Sequence, residues 1–396
     1  MQKIFITSYP YVYERYFRFF DHYPKKDSLF FVLPREWEAK GGKIKASTPI
    51  RDDIKIVSTK ALFFHSHYPI IKGLLKGWMP NSHRIIKQNA KRGDILYTAI
   101  EPNLLTTYFN AKFAKRNGMR HIFFTWQNVP YNQRLGGLKL KITEFIIRGT
   151  IKNSVGAICG NTKAAEILKK YTDAKFNILV APIAGVDVDK FGGSYTDAYK
   201  RNNNLNDKVV VTFSGVFDKR KGIETLLNAF LISVRKRENL HLIMIGTGPL
   251  RNYIEDFINR HNLTNNTTLI DWLPNEELPA ILSNSDIFIH PSEPSKGWEE
   301  QFGFSMAEAS ASGLPIISTD TGSIGEVVID QKTGILVKPG DANRLSAAID
   351  YLVDNPQKRM EMGADGRRYI GENFSDKAIA MKFYNFFSNV GVQNNG

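Results

Sequence analysis

Short apolar runs alternate with longer helical patterns along most of the chain, and this alternation most constrains the fold. In the first half, runs of β-branched and aromatic residues predict strands, and apolar residues recur at helical spacing between them, as over 104–117 and 162–171. Because parallel strands need long crossover connections, this pattern predicts βαβ units on a parallel sheet. The predicted strands are 3–8, 28–33, 94–98, 120–125, 155–159 and 177–181.

The same alternation restarts after a polar, asparagine-rich stretch. Residues 192–207 have no apolar period, so we predict a linker there, followed by a second α/β domain. Residues 36–60 also lack a clear period and predict a loop with a possible strand. A last helical pattern covers 376–390. The other predicted elements of the second half are strands 209–214, 241–245, 267–270, 286–290, 314–318 and 334–337, and helices 341–354 and 357–371.

Cysteine usage and hydropathy exclude several protein classes. The 396 residues are enough for two or three domains with real cores. The single cysteine, Cys159, excludes an intramolecular disulfide framework and a cysteine-rich metal site, and its apolar neighbours predict a buried strand. No window approaches 18 apolar residues without a charge, and the first ten residues are typical of a strand rather than a signal peptide. We therefore expect a cytoplasmic protein without a membrane span.

Positive charge is concentrated in the first half of the chain. The net charge is +14, and residues 1–190 hold 32 Lys and Arg against 14 Asp and Glu, which leaves the remainder at −4. Such asymmetry indicates an anionic partner, which could be a membrane surface, a nucleic acid or an acceptor molecule; the alternative is a surface that is basic only for solubility. Residues 72–92, with Trp78 and Met79, and residues 134–152 mix basic and apolar side chains. Each suits either an anionic lipid surface or ordinary packing of an amphipathic helix.

The stretch 285–319 carries the strongest chemical pattern. It is predicted to form a strand, a loop, a helix of small residues and a second strand, with Glu300 before the helix and Glu308 inside it. Gly303 lets a ligand approach the backbone at the helix start, where N–H groups and the helix dipole favour an anion. The alternatives are a capping box from Ser305 to Glu308 and a solvated loop acid at Glu300.

The spacing E-x-F-G-x-x-x-x-E, followed by A-x-A-x-G-L-P-I-I, resembles the donor-site signature of retaining glycosyltransferases of family four. This resemblance implies an α/β GT-B fold, in which two Rossmann-like domains face each other across a cleft and a C-terminal helix crosses back to the N-terminal domain. It implies an acceptor-side domain over 1–191, a linker over 192–207, a nucleotide-sugar-binding domain over 208–372, and the returning helix over 373–396.

The resemblance also assigns roles to the carboxylates and to a basic loop. Glu308 would bind the ribose hydroxyls and Glu300 the hydroxyls of the donor sugar. Residues 214–222 resemble a G-R-L-x-x-x-K-G loop in which an Arg and a Lys grip the diphosphate. Lys221 matches, but the Arg position is occupied by Val216, so either Arg220 compensates or one cation is missing. Fixed positive charge at this place would stabilise the leaving diphosphate as the glycosidic bond breaks.

Further donor contacts follow from the same resemblance. Trp272 and Leu273 stand where the family reads the nucleobase, although Trp272 alternatively fits a core position. The 182–191 segment resembles a P-x-G-V-D-x-x-x-F element near the cleft. The remaining donor candidates are Gly215, Gly246 in a G-T-G-P turn, and the amides around Phe302, Gly303 and Phe304.

The N-terminal half departs from the family pattern. The loop after the first strand, 8–13, has no glycine, and Gly41-Gly42 lies too far along the chain to replace it. Gln127 or Asn128 is the candidate to hold a hydroxyl or the sugar on the acceptor side. Neither side chain can act as a base at neutral pH. His65 and His67 are further candidates.

These patterns predict a retaining glycosyltransferase that moves a sugar from a UDP- or GDP-linked donor to a lipid-linked or cell-surface glycan acceptor. We expect no metal, no cofactor and no nucleic acid, and a peripheral location at the inner face of the cell membrane. Three alternatives stay open: a GT-B nucleotide-sugar epimerase, a phosphorylase with pyridoxal phosphate, and a basic nucleic-acid binder without turnover.

Overall fold

The computed structural model describes residues 2–38, 45–64, 71–193 and 195–392. The chain forms two compact units, one from Met1–Gly185 together with Asp376–Gly396, and one from Val186–Ser375. The first boundary therefore falls a few residues before the predicted one. Gly41, Gly42, His65 and His67 lie outside the described residues.

The first unit is built on a seven-stranded parallel sheet in the order β5-β2-β1-β6-β7-β8-β9. All residues of β1, β2, β6 and β8 are buried, which is typical of parallel strands covered by helices on both faces. Its strands are β1 Ile4–Thr7, β2 Leu29–Pro34, β5 Lys55–Thr59, β6 Ile95–Thr98, β7 Arg120–Thr125, β8 Gly156–Cys159 and β9 Asn177–Val180, with an antiparallel pair β3 Glu36–Glu38 and β4 Lys45–Ser47. Its described helices are α1 Glu14–Phe17, α2 Ile71–Leu74, α3 Ser82–Asn89, α4 Leu105–Arg116, α5 Tyr131–Arg134, α6 Gly137–Lys152, α7 Thr162–Lys169 and the terminal α16 Asp376–Val392.

The terminal helix α16 belongs to the first unit. The rings of Phe383 and Phe387 pack against Tyr97 at centroid distances of 5.9 and 5.5 Å, and Phe383 also contacts Phe19. Arg18 Nε donates to Asp376 Oδ2 at 2.7 Å, where the helix begins. The aromatic residues of the predicted terminal helix therefore complete the core of the first unit, which confirms the predicted return of the chain.

The second unit is a six-stranded parallel sheet in the order β12-β11-β10-β13-β14-β15. Together with the first sheet, it confirms the predicted pair of Rossmann-like α/β domains. Its strands are β10 Val209–Ser214, β11 Leu240–Ile245, β12 Thr267–Ile270, β13 Ile287–His290, β14 Ile316–Thr319 and β15 Gly334–Val337. Its described helices are α8 Val188–Phe191, α9 Ala198–Asn202, α10 Ile223–Val234, α11 Arg251–Arg260, α12 Leu278–Leu282, α13 Phe304–Ala311, α14 Ala342–Asp354 and α15 Pro356–Phe374.

Two segments without a clear period contain regular elements among their described residues. Residues 36–60 contain β5, which pairs with β2 at the sheet edge and is mostly exposed or half-buried, so it lacks an apolar run. Residues 192–207 contain α9, and Lys200 Nζ reaches Asp286 Oδ2 at 2.8 Å. That segment is therefore tied to the second unit by polar contacts, which leave no apolar period in the sequence.

The basic segment 72–92 does not present the apolar surface that its composition suggests. Met79 is buried, and Trp78 is half-buried with its ring against His83 and Phe109. The ammonium of Lys76 lies 4.6 Å from the centroid of the Tyr9 ring. Met79 is therefore a core residue, so at this position the packing alternative holds and the side chain is not part of a lipid-facing surface. Within the described ranges, no helix combines the length and the apolar character needed to cross a bilayer.

Small residues let α13 and α15 pack at backbone distance. A Cβ built on Gly363 would lie 1.9 Å from the carbonyl oxygen of Gly313, and one on Gly366 would lie 2.5 Å from Ser310 Oγ. The alanines and serines of α13 leave room for this approach. The helix that carries Glu308 is thus fixed from behind by α15.

We predict that Gly363→Ala lowers the free energy of unfolding by about 1–3 kcal/mol, the usual cost of overpacking, because a backbone carbonyl cannot move aside. The matched control is Gly371→Ala in the same helix, where a Cβ meets nothing within 4 Å. That change should be neutral or stabilising by up to about 1 kcal/mol, since alanine is the better helix former. Urea denaturation measures both, and equal effects would contradict the packing argument.

Candidate functional site

The predicted site residues of the second unit gather at the carboxyl edge of its sheet, near the point where the strand order reverses. The order changes direction between the neighbouring strands β10 and β13. Lys221 lies in the connection after β10, and His290 ends β13. Crevices at such a reversal are where open α/β sheets bind ligands.

Lys221 and Glu300 form a largely buried ion pair. The Nζ atom of Lys221 lies 2.5 Å from Oε2 of Glu300, and the two side chains are 18% and 9% exposed. The sequence assigned these residues to different parts of a donor, and the structure brings them into direct contact. A solvated loop acid, the alternative interpretation of Glu300, is therefore wrong.

Two residues that sequence reasoning missed complete the surroundings of Glu300. His290 Nε2 lies 3.0 Å from Glu300 Oε2, and Ser292 Oγ donates to the same oxygen at 2.9 Å. Both are buried. The sequence His290-Pro291-Ser292 directly after an apolar strand is the signal that could have identified them, because polar side chains at a strand's carboxyl end face the ligand edge.

Their surroundings lower the pKa values of both Glu300 and His290, so both side chains are deprotonated at neutral pH. Burial alone raises the pKa of the Glu300 carboxyl, but the hydrogen bond from His290 and the charge of Lys221 outweigh it and hold that pKa well below its usual range. Burial and the charge of Lys221 lower the pKa of His290, against the opposing effect of Glu300. At neutral pH the pair is a carboxylate that accepts from a neutral imidazole.

Backbone contacts fix this cluster of four side chains. Gly222, with φ of 64°, ends the 3-10 turn Lys219–Lys221, and a Cβ there would lie 1.9 Å from the carbonyl oxygen of Pro291. The turn that carries Lys221 therefore rests on the backbone between His290 and Ser292. Ser318 Oγ donates to the His290 carbonyl at 2.6 Å, so β14 holds the other side.

Glu308 is a buried residue of α13 and is not part of a capping box. The helix begins at Phe304 with Gly303 as its N-cap, at φ of 82°, and no side chain caps it. Glu308 Oε1 instead accepts from Asn275 Nδ2 at 3.3 Å, and Asn275 Oδ1 accepts from Lys190 Nζ at 2.7 Å. Asn275, which follows β12, is a further residue that the sequence analysis did not identify.

The second cation of the basic loop is engaged within that loop. The guanidinium of Arg220 donates to both Asp218 oxygens at 3.1 and 3.2 Å and lies 4.6 Å from the centroid of the Trp298 ring. Val216, at the position of the expected arginine, is 55% exposed. Arg220 is therefore the second cation of this loop, and its guanidinium is held by Asp218. The exposed Val216 contributes no positive charge.

The remaining donor candidates follow strand ends or lie at the helix start. Gly215 and Gly246 follow β10 and β11, and Gly215 N donates to Ile245 O at 3.0 Å. Trp272 is 61% exposed, so the alternative of a core position is wrong. Leu273 is half-buried beside it. The ring of Phe302 is buried against Phe304 and Phe374, which leaves its backbone as the part that could face a ligand.

Gln127 lies in the first unit, after β7. It is buried, and its Oε1 accepts from Arg134 Nη1 at 2.5 Å. The nearby Glu101, also missed by sequence reasoning, accepts from Thr125 Oγ1 and from the Trp126 amide, each at 2.7 Å. Burial raises the pKa of the Glu101 carboxyl. The carboxyl edge of this sheet is thus a polar, ordered surface. Asn128, the other acceptor-side candidate, is likewise buried.

The chemistry available in the second unit is that of an anion and hydroxyl site. Lys221 supplies fixed positive charge, Glu300 and Glu308 supply acceptors for hydroxyl groups, and the start of α13 adds a helix dipole. In the part of the chain that the structure describes, no three His, Cys, Asp or Glu side chains are grouped so that they could hold a metal ion.

Comparisons with known proteins find similarity chiefly in the second unit. Residues 196–369 match the family described as Glycosyl transferases group 1. A GDP-mannose-dependent alpha-(1-6)-phosphatidylinositol monomannoside mannosyltransferase of Mycolicibacterium smegmatis is 27% identical over 56% of this chain and 61% of that protein. The capsular polysaccharide biosynthesis glycosyltransferase CapM of Staphylococcus aureus is 29% identical over 44% of each chain. The alignment with the mycobacterial relative thus covers about three fifths of that relative's length.

Solved structures share the fold over nearly the whole chain. Anabaena Alr3699/HepE in complex with UDP superposes with a TM-score of 0.75 at 15% identity, covering 98% of this chain and all of that one. Sucrose-phosphate synthase from Thermosynechococcus elongatus gives a TM-score of 0.73 at 19% identity, covering 98% and 99%. The fold is therefore GT-B. The activity, the retaining mechanism and the individual residue roles stay predictions.

The lowered pKa of His290 predicts a pH dependence of stability. In the unfolded chain His290 takes up a proton near pH 6.5, but in the folded chain it does so only at lower pH, so its contribution is complete above about pH 6.5 and is lost as the pH falls. We expect His290→Gln to reduce the slope of unfolding free energy against pH between about 5 and 6.5 by up to about 1.4 kcal/mol per pH unit.

Urea denaturation at stepped pH gives this slope. His121 and His241, whose burial lowers their pKa values to about 3 and about 4, contribute equally to both proteins and cancel. His22→Gln, at an exposed position, is the matched control and should leave the slope unchanged. An unchanged slope in His290→Gln would contradict the assignment of a neutral buried imidazole.

Proposed function

We propose that this protein is a retaining glycosyltransferase that transfers a sugar from a UDP- or GDP-linked donor to a glycan acceptor. The observation that carries the proposal is the buried cluster of Lys221, Glu300, His290 and Ser292 at the strand reversal of a GT-B second unit. A charged lysine beside a carboxylate at this edge can serve both ends of a sugar nucleotide, the diphosphate and the sugar hydroxyls.

Lys221 supplies the electrostatic part of the reaction. Negative charge grows on the diphosphate as the glycosidic bond breaks, and a preorganised ammonium lowers the energy of that state without reorganisation. The contacts with Glu300 and the Trp298 ring, 5.4 Å from its centroid, hold the ammonium in place. In a front-face retaining mechanism, the leaving phosphate accepts the proton of the acceptor hydroxyl, so no separate base is needed.

The two carboxylates bind different hydroxyl groups in this proposal. Glu300, held ionised by its three partners, accepts from hydroxyls of the transferred sugar. Glu308, further along α13, accepts from the ribose, with Asn275 orienting it. The exposed Trp272 and half-buried Leu273 after β12 suit the nucleobase. Gln127 in the first unit is assigned to the acceptor side.

Two kinds of support favour a UDP- or GDP-linked donor. The mycobacterial relative is named as GDP-mannose-dependent, and solved neighbours hold UDP or UDP-glucose.

We propose transfer without a metal or cofactor, because Lys221 provides the charge that a metal would otherwise supply. We also propose a lipid-linked or cell-surface glycan acceptor and a cytoplasmic enzyme peripheral to the inner membrane face, which the basic excess of residues 1–190 supports.

A thermal-shift screen of UDP, GDP, ADP and their sugar forms tests the donor assignment. A nucleotide present at 100 times its Kd should stabilise the protein by about 2.7 kcal/mol. We expect Glu308→Gln to weaken binding of that nucleotide roughly 10–100-fold, because hydrogen bonds to a charged group contribute about 1.5–3 kcal/mol. Glu361→Gln, at an exposed position of α15, is the matched control and should bind as the parent protein does. Unchanged affinity in Glu308→Gln would overturn its role, and no stabilisation by any nucleotide would overturn the function.

Lys221→Ala should lower kcat by about 10²–10³-fold with a smaller effect on donor KM, because the charge that Lys221 neutralises is largest in the transition state. The control is Lys219→Ala, an exposed lysine of the same turn, which should retain kcat within a factor of about two. Melting temperatures are measured alongside, since removal of one partner of a buried pair also costs stability. A loss of tenfold or less would indicate that Arg220 or another group holds the phosphate.

A further inference from the structure

Helix α6 in the first unit presents a row of exposed apolar side chains. Leu138 is 72% exposed, Ile142 39% and Phe145 71%. Their spacing of four and three residues places them on one face of the helix, along about 10 Å of its length. We call these three residues the α6 stripe. Single exposed apolar residues are ordinary, but an aligned row of large ones marks an interaction surface.

Within the described part of the chain, the core of the first unit is built on the other face of α6. The opposite face of α6, with Thr143, Ile146, Ile147 and Thr150, is buried against the unit. Thr150 Oγ1 donates to Pro102 O at 3.0 Å, so this face fixes the helix in place. The stripe can therefore serve a partner without any change in the packing of the unit.

Basic side chains border the α6 stripe. The exposed charged residues of α6 are all positive: Lys139, Lys141, Arg148 and Lys152. Arg134, one turn before the helix, is also exposed. Glu144, the single acidic residue of the helix, is half-buried and interacts with Tyr171 on the side away from the stripe. Such a row of apolar residues with a cationic border is complementary to the surface of an anionic bilayer.

We propose that the α6 stripe and its basic border dock the protein on the headgroup region of an anionic membrane. The apolar side chains enter the boundary between headgroups and acyl chains, while the lysines and arginines contact lipid phosphates. Self-association through the same stripe would place like charges of two copies against each other, which disfavours a second copy as the occupant.

The position of α6 connects docking to the acceptor edge of the first sheet. The helix follows the loop after β7, and Arg134 at the end of α5 donates to Gln127 Oε1. The N-terminal end of the stripe, at Leu138, is therefore four residues beyond a contact to the residue assigned to the acceptor. This part of the inference rests on the proposed function: a docked stripe would hold that edge close to lipid headgroups, where a lipid-linked acceptor would stand.

Vesicle sedimentation tests the docking surface. The full chain is mixed with vesicles of phosphatidylcholine alone or with phosphatidylglycerol, at low and high salt. We expect binding to rise with phosphatidylglycerol and to fall with salt. The double variant Leu138→Ser with Phe145→Ser should lower the partition coefficient by about tenfold or more, because it removes the two most exposed apolar side chains of the stripe. Because both positions are exposed, we expect the double variant to fold normally. An unchanged melting temperature verifies this.

The matched control changes two exposed apolar residues of the second unit, Tyr351→Ser with Met360→Ser, which are 43% and 61% exposed. It should sediment with vesicles as the parent protein does. Binding lost equally in both double variants, or retained in the stripe variant, would overturn the proposal. Failure of the parent protein to bind phosphatidylglycerol vesicles at low salt would do so as well.

Two further readouts separate this inference from the proposed function and from self-association. The nucleotide thermal shift of the stripe variant should equal that of the parent protein. Stripe-dependent vesicle binding without any nucleotide effect in the parent would support docking and overturn the glycosyltransferase assignment. A nucleotide effect in the parent without stripe-dependent vesicle binding would overturn docking alone.

Light scattering gives the oligomeric state. A dimer that becomes a monomer in the stripe variant, in a protein that does not bind vesicles, would identify a second copy as the occupant.

Discussion

The arrangement of the second unit depends on keeping the carboxylate of Glu300 charged where little water can reach it. An unpaired buried charge costs several kcal/mol, so the side chains that pair with it must be held in place by the fold. They come from three segments: the turn after β10, the end of β13 and the residue two positions beyond it. The glycine that ends the turn and the β14 hydroxyl that holds the His290 carbonyl are consequences of the same requirement. The ion pair therefore orders the site before any ligand binds.

Much of the fold follows from the sequence because parallel strands that are buried on both faces are continuous apolar runs. All six strands of the second sheet were predicted to within one or two residues of their observed ends. Strand β5 was only a possible strand because it is an edge strand with half-exposed residues, and α9 was missed because polar contacts hold it. A local apolar pattern predicts which elements are buried. It does not predict an element that is held mainly by strand pairing or by a salt bridge.

The acidic and basic residues of the candidate site can be predicted from the sequence. The contacts that these residues make cannot. Glu300, Glu308 and Lys221 stand in recognisable spacings. The partners His290, Ser292 and Asn275 lie 8 to 33 residues away in sequence from the carboxylates they contact. His290, Ser292 and Glu300 share the segment at the end of β13, whereas Lys221 and Asn275 follow other strands, and strand order is not encoded in any local window. The same limit explains Met79, whose basic neighbours suggested a surface and whose side chain is in the core.

The terminal helix α16 has a consequence for the order of synthesis. The first unit needs Phe383 and Phe387 to finish the core around Tyr97, yet the whole of Val186–Ser375 is translated in between. At usual elongation rates those residues take roughly 10–40 s to make. During that interval the N-terminal part lacks the aromatic residues that complete its core, and when α16 is finally made the second unit already has all of its strands. The unit that begins the chain is thus the last to become complete.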